Sequence, residues 1–280
     1  MPSIVVVSVL GWAVALLDRH ARQLVLPEVG VAGQRRLGAA RVLIVGCGGL
    51  GAPVISALAA AGVGHLTLVD DDVVEGSNLN RQTLFGSADV GKRKALVAAA
   101  FVAALDESIE VQPRVERLIA ARARPWIRDH DVVVDCADGL PTKYLLNDAC
   151  VREDRPLVHG AATGWSGQVV VVGGAAGPCL RCLFPVLPGR DVVPTCRSGG
   201  ILAPVTGVVG SLQAGAVLRL LLGVVRPPGG RFVAVDVKGG STKTLRFERD
   251  PACPACGDAP SLRALDDADY ALPPACEDEP

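Results

Sequence analysis

At 280 residues, half of them hydrophobic and a fifth charged, the chain is long enough for one large domain or two modest ones and too apolar to be disordered. Its 28 Lys and Arg nearly balance 29 Asp and Glu, and aromatic residues are only 4%, which argues against a basic nucleic-acid-binding surface and against a base-stacking platform. A mean hydropathy of +0.37 raises the question of membrane spans, but the uncharged stretches 42–69 and 199–218 are broken by Gly, Pro or polar residues and read as soluble core, since strands buried on both faces look the same.

Taken in chain order, the run 4–17 is apolar but short and follows no basic segment. It reads as a hydrophobic helix or a misplaced start, not a signal peptide, although Ala13-Val14-Ala15 faintly resembles a cleavage site. Residues 1–17 are therefore set apart as an N-terminal extension. Arg41 to Val45 is an apolar strand, followed by Gly46-Cys47-Gly48-Gly49-Leu50-Gly51 and a small-residue helix through Ala61. A second strand, His65 to Val69, ends in Asp70-Asp71-Asp72. A helix is expected over 91–105, strands over 109–113 and 131–135, a helix over 141–151 and a short strand over 157–159. This alternation predicts an α/β fold with a Rossmann-like, doubly wound, mainly parallel sheet and right-handed crossovers. Later strands over 168–172, 231–237 and 244–247 read as an antiparallel addition, with a long apolar helix over 205–222 between them. Segments 173–177 and 185–194 are loop-like, and the acidic, proline-punctuated tail 258–280 is assigned no structure.

Gly46, Gly48 and Gly51 form a G-x-G-x-x-G turn between strand and helix, and Asp70 closes the next strand at about the distance of a ribose-binding carboxylate. Gly46 allows the tight turn, while Gly48 and Gly49 let backbone amides approach a phosphate at a helix N-terminus. By itself this leaves NAD, FAD and ATP open. Beyond Asp70, Ser77-Asn78-Leu79-Asn80-Arg81-Gln82 and Gly91-Lys92-Arg93-Lys94 favour ATP, because a triphosphate calls for guanidinium and ammonium partners. Arg81 and Lys94 supply them, Asn78 can orient an oxygen or a metal-bound water, and Asp138 sits where a carboxylate could hold Mg²⁺. For Lys92 and Arg93 the reading is plain solvated charge.

Of nine cysteines, four form the pairs Cys179/Cys182 and Cys253/Cys256, the second followed by Gly257; Cys47, Cys136, Cys150, Cys196 and Cys276 stand alone. Two C-x-x-C pairs suit one tetrahedral Zn²⁺, which would clip the chain's end to its middle; a redox dithiol or plain buried thiols are the alternatives. A disulfide scaffold would not need so apolar a core, so secretion is rejected and a cytoplasmic setting expected.

Taken together, these residues resemble the MoeB/ThiF family of ubiquitin-activating-like adenylyltransferases. The likeness runs from Arg19-His20-Ala21-Arg22-Gln23 and Gly33-Gln34 through the glycine loop, the Ser77 and Gly91 motifs and Asp135-Cys136-Ala137-Asp138. It continues through Tyr144 to Asp148, Gly160-Ala161-Ala162, Gly167-Gln168, the first cysteine pair, Thr195-Cys196, Gly207 to Gln213 and the second pair, and so covers about residues 18–257. The resemblance implies that a small β-grasp sulfur-carrier protein presents its C-terminal Gly-Gly carboxylate to Mg·ATP and leaves as an acyl-adenylate, ready for thiocarboxylate formation in molybdopterin, thiamine or related sulfur transfer. By position it implies that Gly49, Asp70, Ser77 to Arg81 and Lys94 bind ATP, with Asp138 on Mg²⁺ and Gly139 beside it. It further implies zinc on Cys179, Cys182, Cys253 and Cys256, and a homodimer in which Arg22 reaches the partner's site. Cys196 stands where relatives that link covalently to the carrier place a reactive cysteine, and Arg197 could depress its pKa.

The resemblance divides the chain into an ATP-binding portion, 18–175, and a carrier-binding, zinc-clipped portion of the same domain, 176–257. Charge balance, low aromatic content and the interrupted apolar stretches lead to neither nucleic acid nor membrane being expected as partner, and sulfur is expected from a separate protein such as a rhodanese or a cysteine desulfurase. The chain departs from the family pattern at Gly139 (commonly Asn), Lys143 (commonly Arg), His20 (commonly Tyr) and Asp106-Glu107 (usually Asn-Pro). Three other readings are adenylation of a peptide or tRNA base, a non-catalytic scaffold subunit, and an NAD oxidoreductase. The near-neutral charge disfavours the first, retention of Arg22, Arg81, Lys94 and Asp138 the second, and fold-level analogy is all that supports the third.

Overall fold

Two short helices, α1 (Ala21–Leu24) and α2 (Gly30–Ala39), lead into strand β1 (Arg41–Val45) in a computed structural model that describes residues 19–174, 177–188, 199–225, 230–262 and 264–271. There follow α3 (Gly51–Ala60), β2 (His65–Val69), α4 (Lys94–Leu105), β3 (Glu110–Arg114), α5 (Ala120–Arg128), β4 (Val132–Asp135) and α6 (Leu140–Arg152). The remaining elements are β5 (Pro156–Thr163), β6 (Ser166–Gly173), the single turn α7 (Leu180–Leu183), the long α8 (Ala203–Leu221), β7 (Gly230–Asp236) and β8 (Ser241–Phe247). Residues 1–18, with the apolar N-terminal run, and residues 189–198, with Cys196, lie outside the described residues.

One eight-stranded sheet, ordered β3-β2-β1-β4-β5-β6-β7-β8, runs through both portions. The first five strands in that order are parallel and the last three antiparallel, as the sequence predicts. Residues 42–45 of β1 and 132–134 of β4 are apolar on both faces because both faces are covered. On one side lie α3, α4 and α8, with Ile44, Ile55, Leu58, Ala98 and Val209 in one cluster. On the other lie α5 and α6, with Leu43, Val133, Ile127 and Leu146 in a second.

Among the described residues one helix, α8, is long and apolar enough to cross a membrane, but it packs as a core helix on α3 and the sheet. Gly210 makes that approach possible, since a Cβ there would strike Pro53 on α3. Gln213, fully buried on α8, spends its amide on the carbonyls of Asp135 (2.9 Å) and Val158 (3.3 Å), an internal-sheet contact foreign to a lipid-facing helix.

Some elements differ from the sequence reading. The helix expected from residue 91 begins at Lys94, because Gly91 has φ +86° and Arg93 is extended. The strand expected over 157–159 runs on to Thr163, joining β6 in a hairpin through Gly164. Helix α5 was not foreseen: Pro125 and four Ala or Arg positions hide an apolar face made of Ala120, Ala123, Trp126 and Ile127.

The tail, assigned no structure from sequence, carries a 3₁₀ turn over Asp267–Tyr270 that docks on the sheet's second face. Asp267 accepts the Ala120 N–H at the start of α5 (2.7 Å), and Arg152 on α6 donates to the Leu262 carbonyl. The Tyr270 hydroxyl, buried, donates to Asp148 (3.0 Å), which also holds Arg181 through a two-pronged contact (2.8 Å each). Because Arg181 stands between Cys179 and Cys182, this pair links α6, the cysteine lobe and the tail. Tyr270→Phe removes one hydrogen bond to a buried charge, and urea denaturation should show a loss of about 1.5–3 kcal/mol. An unchanged midpoint would mean that the Tyr270 hydroxyl contributes nothing to the fold.

Candidate functional site: a nucleotide crevice beside a four-cysteine lobe

The register sets Val45 beside both Val69 and Asp135, so β1, β2 and β4 end level with one another. β1 connects outward to β2 on one side and pairs with β4 on the other, which makes the space beyond its carboxyl end the topological switch point where such sheets bind ligands. The glycine loop fills that point. Gly46 has φ +97°, and a Cβ there would lie 2.5 Å from the Cys136 carbonyl at the end of β4. No larger residue allows that approach. A side chain at Gly49 would meet Thr206 on the first turns of α8 (3.1 Å). Among the described residues, the N–H groups of Gly48 and Gly49 have no acceptor, so donors of the kind a phosphate takes stand at the start of α3.

Asp70 accepts the Cys47 N–H (2.7 Å) through one carboxylate oxygen and the Asp72 N–H (2.9 Å) through the other. It therefore braces the loop against the end of β2. Burial pushes its carboxyl above the usual range, with those two backbone bonds opposing. Asn78 is buried and turned inward: its amide oxygen accepts the Glu75 N–H (3.2 Å), which shapes the short 3₁₀ turn Gly76–Asn78. Ser77 and Asn80 are exposed and Leu79 half-buried on the same turn. Arg81 uses Nη1 on the Ser77 carbonyl (2.9 Å) and the Asn80 side chain (3.1 Å); among the described residues its Nε and Nη2 have no acceptor. Lys94, buried at the head of α4, pairs with the exposed Asp72 (2.8 Å). Asp138, exposed, follows β4, with Gly139 as the residue before α6.

The predicted residues Gly46 to Gly51, Asp70, Ser77 to Arg81, Lys94, Asp138 and Gly139 thus border the carboxyl ends of three neighbouring strands. Arg22 is exposed on α1, one turn from the start of the described chain. Three residues were missed. Asp72 belonged to a visible Asp70-Asp71-Asp72 run, yet nothing local marked it as the partner of Lys94. Gln82 packs against Gly48 and leaves a buried side-chain oxygen with no partner among the described residues. Thr206 closes on the loop from more than 150 residues away, and no sequence signal could have found it.

The four cysteines of the two pairs converge: their sulfurs lie within 4.8 Å of one another. The closest contacts run between pairs, Cys179 to Cys253 (3.6 Å) and Cys182 to Cys256 (3.4 Å), as a single ion held by both pairs requires. Cys182 also receives the N–H groups of Cys179 (3.5 Å) and Asp250 (3.4 Å), the kind of outer bond that steadies a thiolate ligand. Gly257 has to be glycine, because a Cβ would enter the Cys253 carbonyl and break the tight knuckle. This donor set fits a metal such as zinc. Cys47, Cys136 and Cys150 are buried elsewhere, and burial pushes each of their thiols up.

The departures His20 and Asp106 prove to be neighbours. Asp106 pairs with Arg19 (3.5 Å) and acts on His20, which is buried against Gly62. Burial pushes the His20 imidazole down, and Asp106 partly offsets that.

A mostly parallel sheet with a glycine loop and free backbone donors at its switch point, a flanking Arg and Lys, and a four-cysteine lobe on its antiparallel extension has the architecture of a nucleotide-binding α/β protein, with four thiols placed where they could hold a metal. A family model described as the ThiF family matches residues 20–255, and the chain belongs to that family.

The chain is 48% identical over 252 residues to the adenylyltransferase and sulfurtransferase MOCS3 of Bos taurus, covering 90% of this chain and 55% of that protein. It thus spans about half the length of that relative. It is 45% identical over 261 residues to the sulfur carrier protein adenylyltransferase of Thermus thermophilus, covering 91% of this chain and 96% of the relative. To the SAMP-activating enzyme E1 of Haloferax volcanii it is 44% identical over 254 residues, covering 91% and 93%. Among solved structures, E. coli MccB with ATP aligns at a TM-score of 0.70 and 24% identity over 80% of this chain and 68% of that one, a likeness of fold.

Proposed function

We propose that this protein is an ATP-dependent adenylyltransferase that activates the C-terminal Gly-Gly carboxylate of a small β-grasp sulfur carrier. The observation that carries the reading is the near full-length likeness, at 45% identity, to a sulfur carrier protein adenylyltransferase; that Arg81 packs beside Gly49 of the glycine loop supports it. A carrier carboxylate oxygen attacks the α-phosphorus of ATP, the bond to the β-phosphate oxygen breaks, and pyrophosphate leaves with that electron pair. The carrier then holds a mixed anhydride, an electrophile that a sulfur nucleophile can attack.

Little covalent chemistry falls to the protein. Its task is to bring two anions together and offset the charge that shifts to the leaving group. In this reading the Gly48 and Gly49 amides and the α3 N-terminus take phosphate oxygens, Arg81 turns its unused guanidinium nitrogens to the triphosphate, and Lys94 exchanges Asp72 for it. Asp138 would hold Mg²⁺, which supplies charge neutralisation on the phosphates when bound. Its exposed carboxylate, with no partner among the described residues, fits that use. Zinc on the four cysteines would be structural, and such thiolates belong in a reducing compartment, which favours the cytoplasm. A homodimer would let Arg22 of one copy serve the other. Cys196 remains the candidate for a covalent carrier link, and molybdopterin and thiamine synthesis are the pathways this chemistry suits.

ATP–pyrophosphate exchange with Mg²⁺ and a panel of carriers ending in Gly-Gly tests the reading. Exchange is expected with at least one carrier and with none of the same carriers lacking the last glycine. If folded protein gives no exchange with any carrier, the adenylyltransferase reading fails for that substrate class.

A further inference from the structure

Three ionisable side chains meet in the interior directly beneath the turn that carries Asp138. Asp135 ends β4, His159 lies on β5 and Lys143 on the first turn of α6; Asp135 is fully buried and the other two nearly so. His159 Nδ1 donates to Asp135 Oδ2 (2.6 Å), and the Lys143 ammonium lies 3.4 Å from both carboxylate oxygens. Lys143 also donates to the Gly160 carbonyl on β5 (2.8 Å). Oδ1 of Asp135 accepts the Ala137 N–H (3.0 Å), inside the turn that leads to Asp138. Gln213 holds the Asp135 carbonyl from the other face, so the turn is gripped from α6, β5 and α8 together.

A buried carboxylate survives only when its charge is matched and its lone pairs are filled. Burial alone would raise the Asp135 carboxyl, yet the Lys143 ammonium and the His159 bond hold it below the usual range. Burial, and then Lys143, push the His159 imidazole down, which leaves it a neutral donor. One formal cation thus faces one formal anion, and two N–H donors complete the set. A cluster meant only to join β4 to β5 would not need a bond to the backbone of the turn. An apolar pair would join the strands at lower desolvation cost.

We propose that Lys143, seconded by His159, is a positioning residue for the nucleotide site: by fixing Asp135 it sets the turn from Cys136 to Gly139, and with it the direction in which Asp138 presents its carboxylate. The inference rests on the adenylyltransferase reading. Without the ammonium, Asp135 must turn toward other donors, and the Ala137 N–H loses its acceptor. The turn then loosens, and Asp138 with it.

Calorimetric ATP binding, with and without Mg²⁺, separates this from a general packing role, using wild type, Lys143→Met and Lys143→Arg. In the wild type, Mg²⁺ should tighten ATP binding. Lys143→Met should bind ATP without Mg²⁺ as the wild type does, but lose roughly 10-fold of the Mg²⁺-dependent gain, the low end of the scale for a group bonded directly to a metal ligand, since Lys143 acts one step further out through Asp135. Lys143→Arg, which keeps the cation, should restore most of it.

The proposal is overturned if Lys143→Met is folded and its Mg²⁺ response is unchanged, or if it loses ATP binding equally with and without Mg²⁺. Should Lys143→Met fail to fold, His159→Ala takes the same measurement: a weakened Mg²⁺ response supports the proposal and an unchanged one overturns it. A wild type that binds ATP indifferently to Mg²⁺, or not at all, would sink the adenylyltransferase reading instead.

Discussion

Arg81→Ala should lower carrier-dependent ATP–pyrophosphate exchange by on the order of 10²–10³-fold, the effect of removing one donor aimed at developing charge in a preorganised site. The fold should barely notice. Arg81 is half-buried, and its two bonds, to the Ser77 carbonyl and the Asn80 side chain, are local to one turn. Its remaining nitrogens have no acceptor among the described residues, so what the side chain offers is mostly unspent in the protein itself. Exchange rate and thermal midpoint measured on the same preparation give the check. A fall in both together would make Arg81 a structural residue, and unchanged exchange would remove it from the site.

Zinc removal should have the largest effect on stability. Cys253→Ser, or prolonged chelation, is expected to take metal content from about one zinc per chain toward none and to lower Tm by more than about 10 °C. Structural zinc contributes on the order of 10 kcal/mol in small zinc-binding peptides, and even a fraction of that shifts Tm by about 2–4 °C per kcal/mol in a chain of this size. The loss should spread along the chain. The cysteine lobe carries Arg181, and through it Asp148 and Tyr270, so the tail should lose hydrogen-exchange protection with the metal. Wild-type protein that contains no zinc as purified, yet is equally stable, would return the four cysteines to the redox or plain-thiol readings.

Several features were legible because their physical cause is local. Strands β1, β2 and β4 are short apolar runs bounded by glycine or acidic residues, and any sheet that covers both faces asks for such runs. The glycine loop and the second cysteine knuckle are visible because only glycine permits the backbone at Gly46 and the tight turn at Gly257. Helix α5 was hidden because its apolar stripe is interrupted by arginines and a proline, and its burial depends on α6. The tail was hidden for a similar reason: one tyrosine and one aspartate anchor it, and their partners lie more than 100 residues away.

From the sequence alone came the α/β class, the phosphate loop, the paired cysteines and the resemblance that names the chemistry. Each is written in short local motifs and their order along the chain. The tertiary structure alone decided that Lys94 pairs with Asp72 and that the cysteine pairs interleave sulfur to sulfur. It also decided that His20 and Asp106 are neighbours and that Lys143, read in the sequence only as a departure from the family pattern, neutralises Asp135 beneath the turn of Asp138. These contacts join segments far apart in the chain or on different elements. What fixes them is the packing of the whole sheet and its helices, where a buried charge must find its partner wherever the fold brings one.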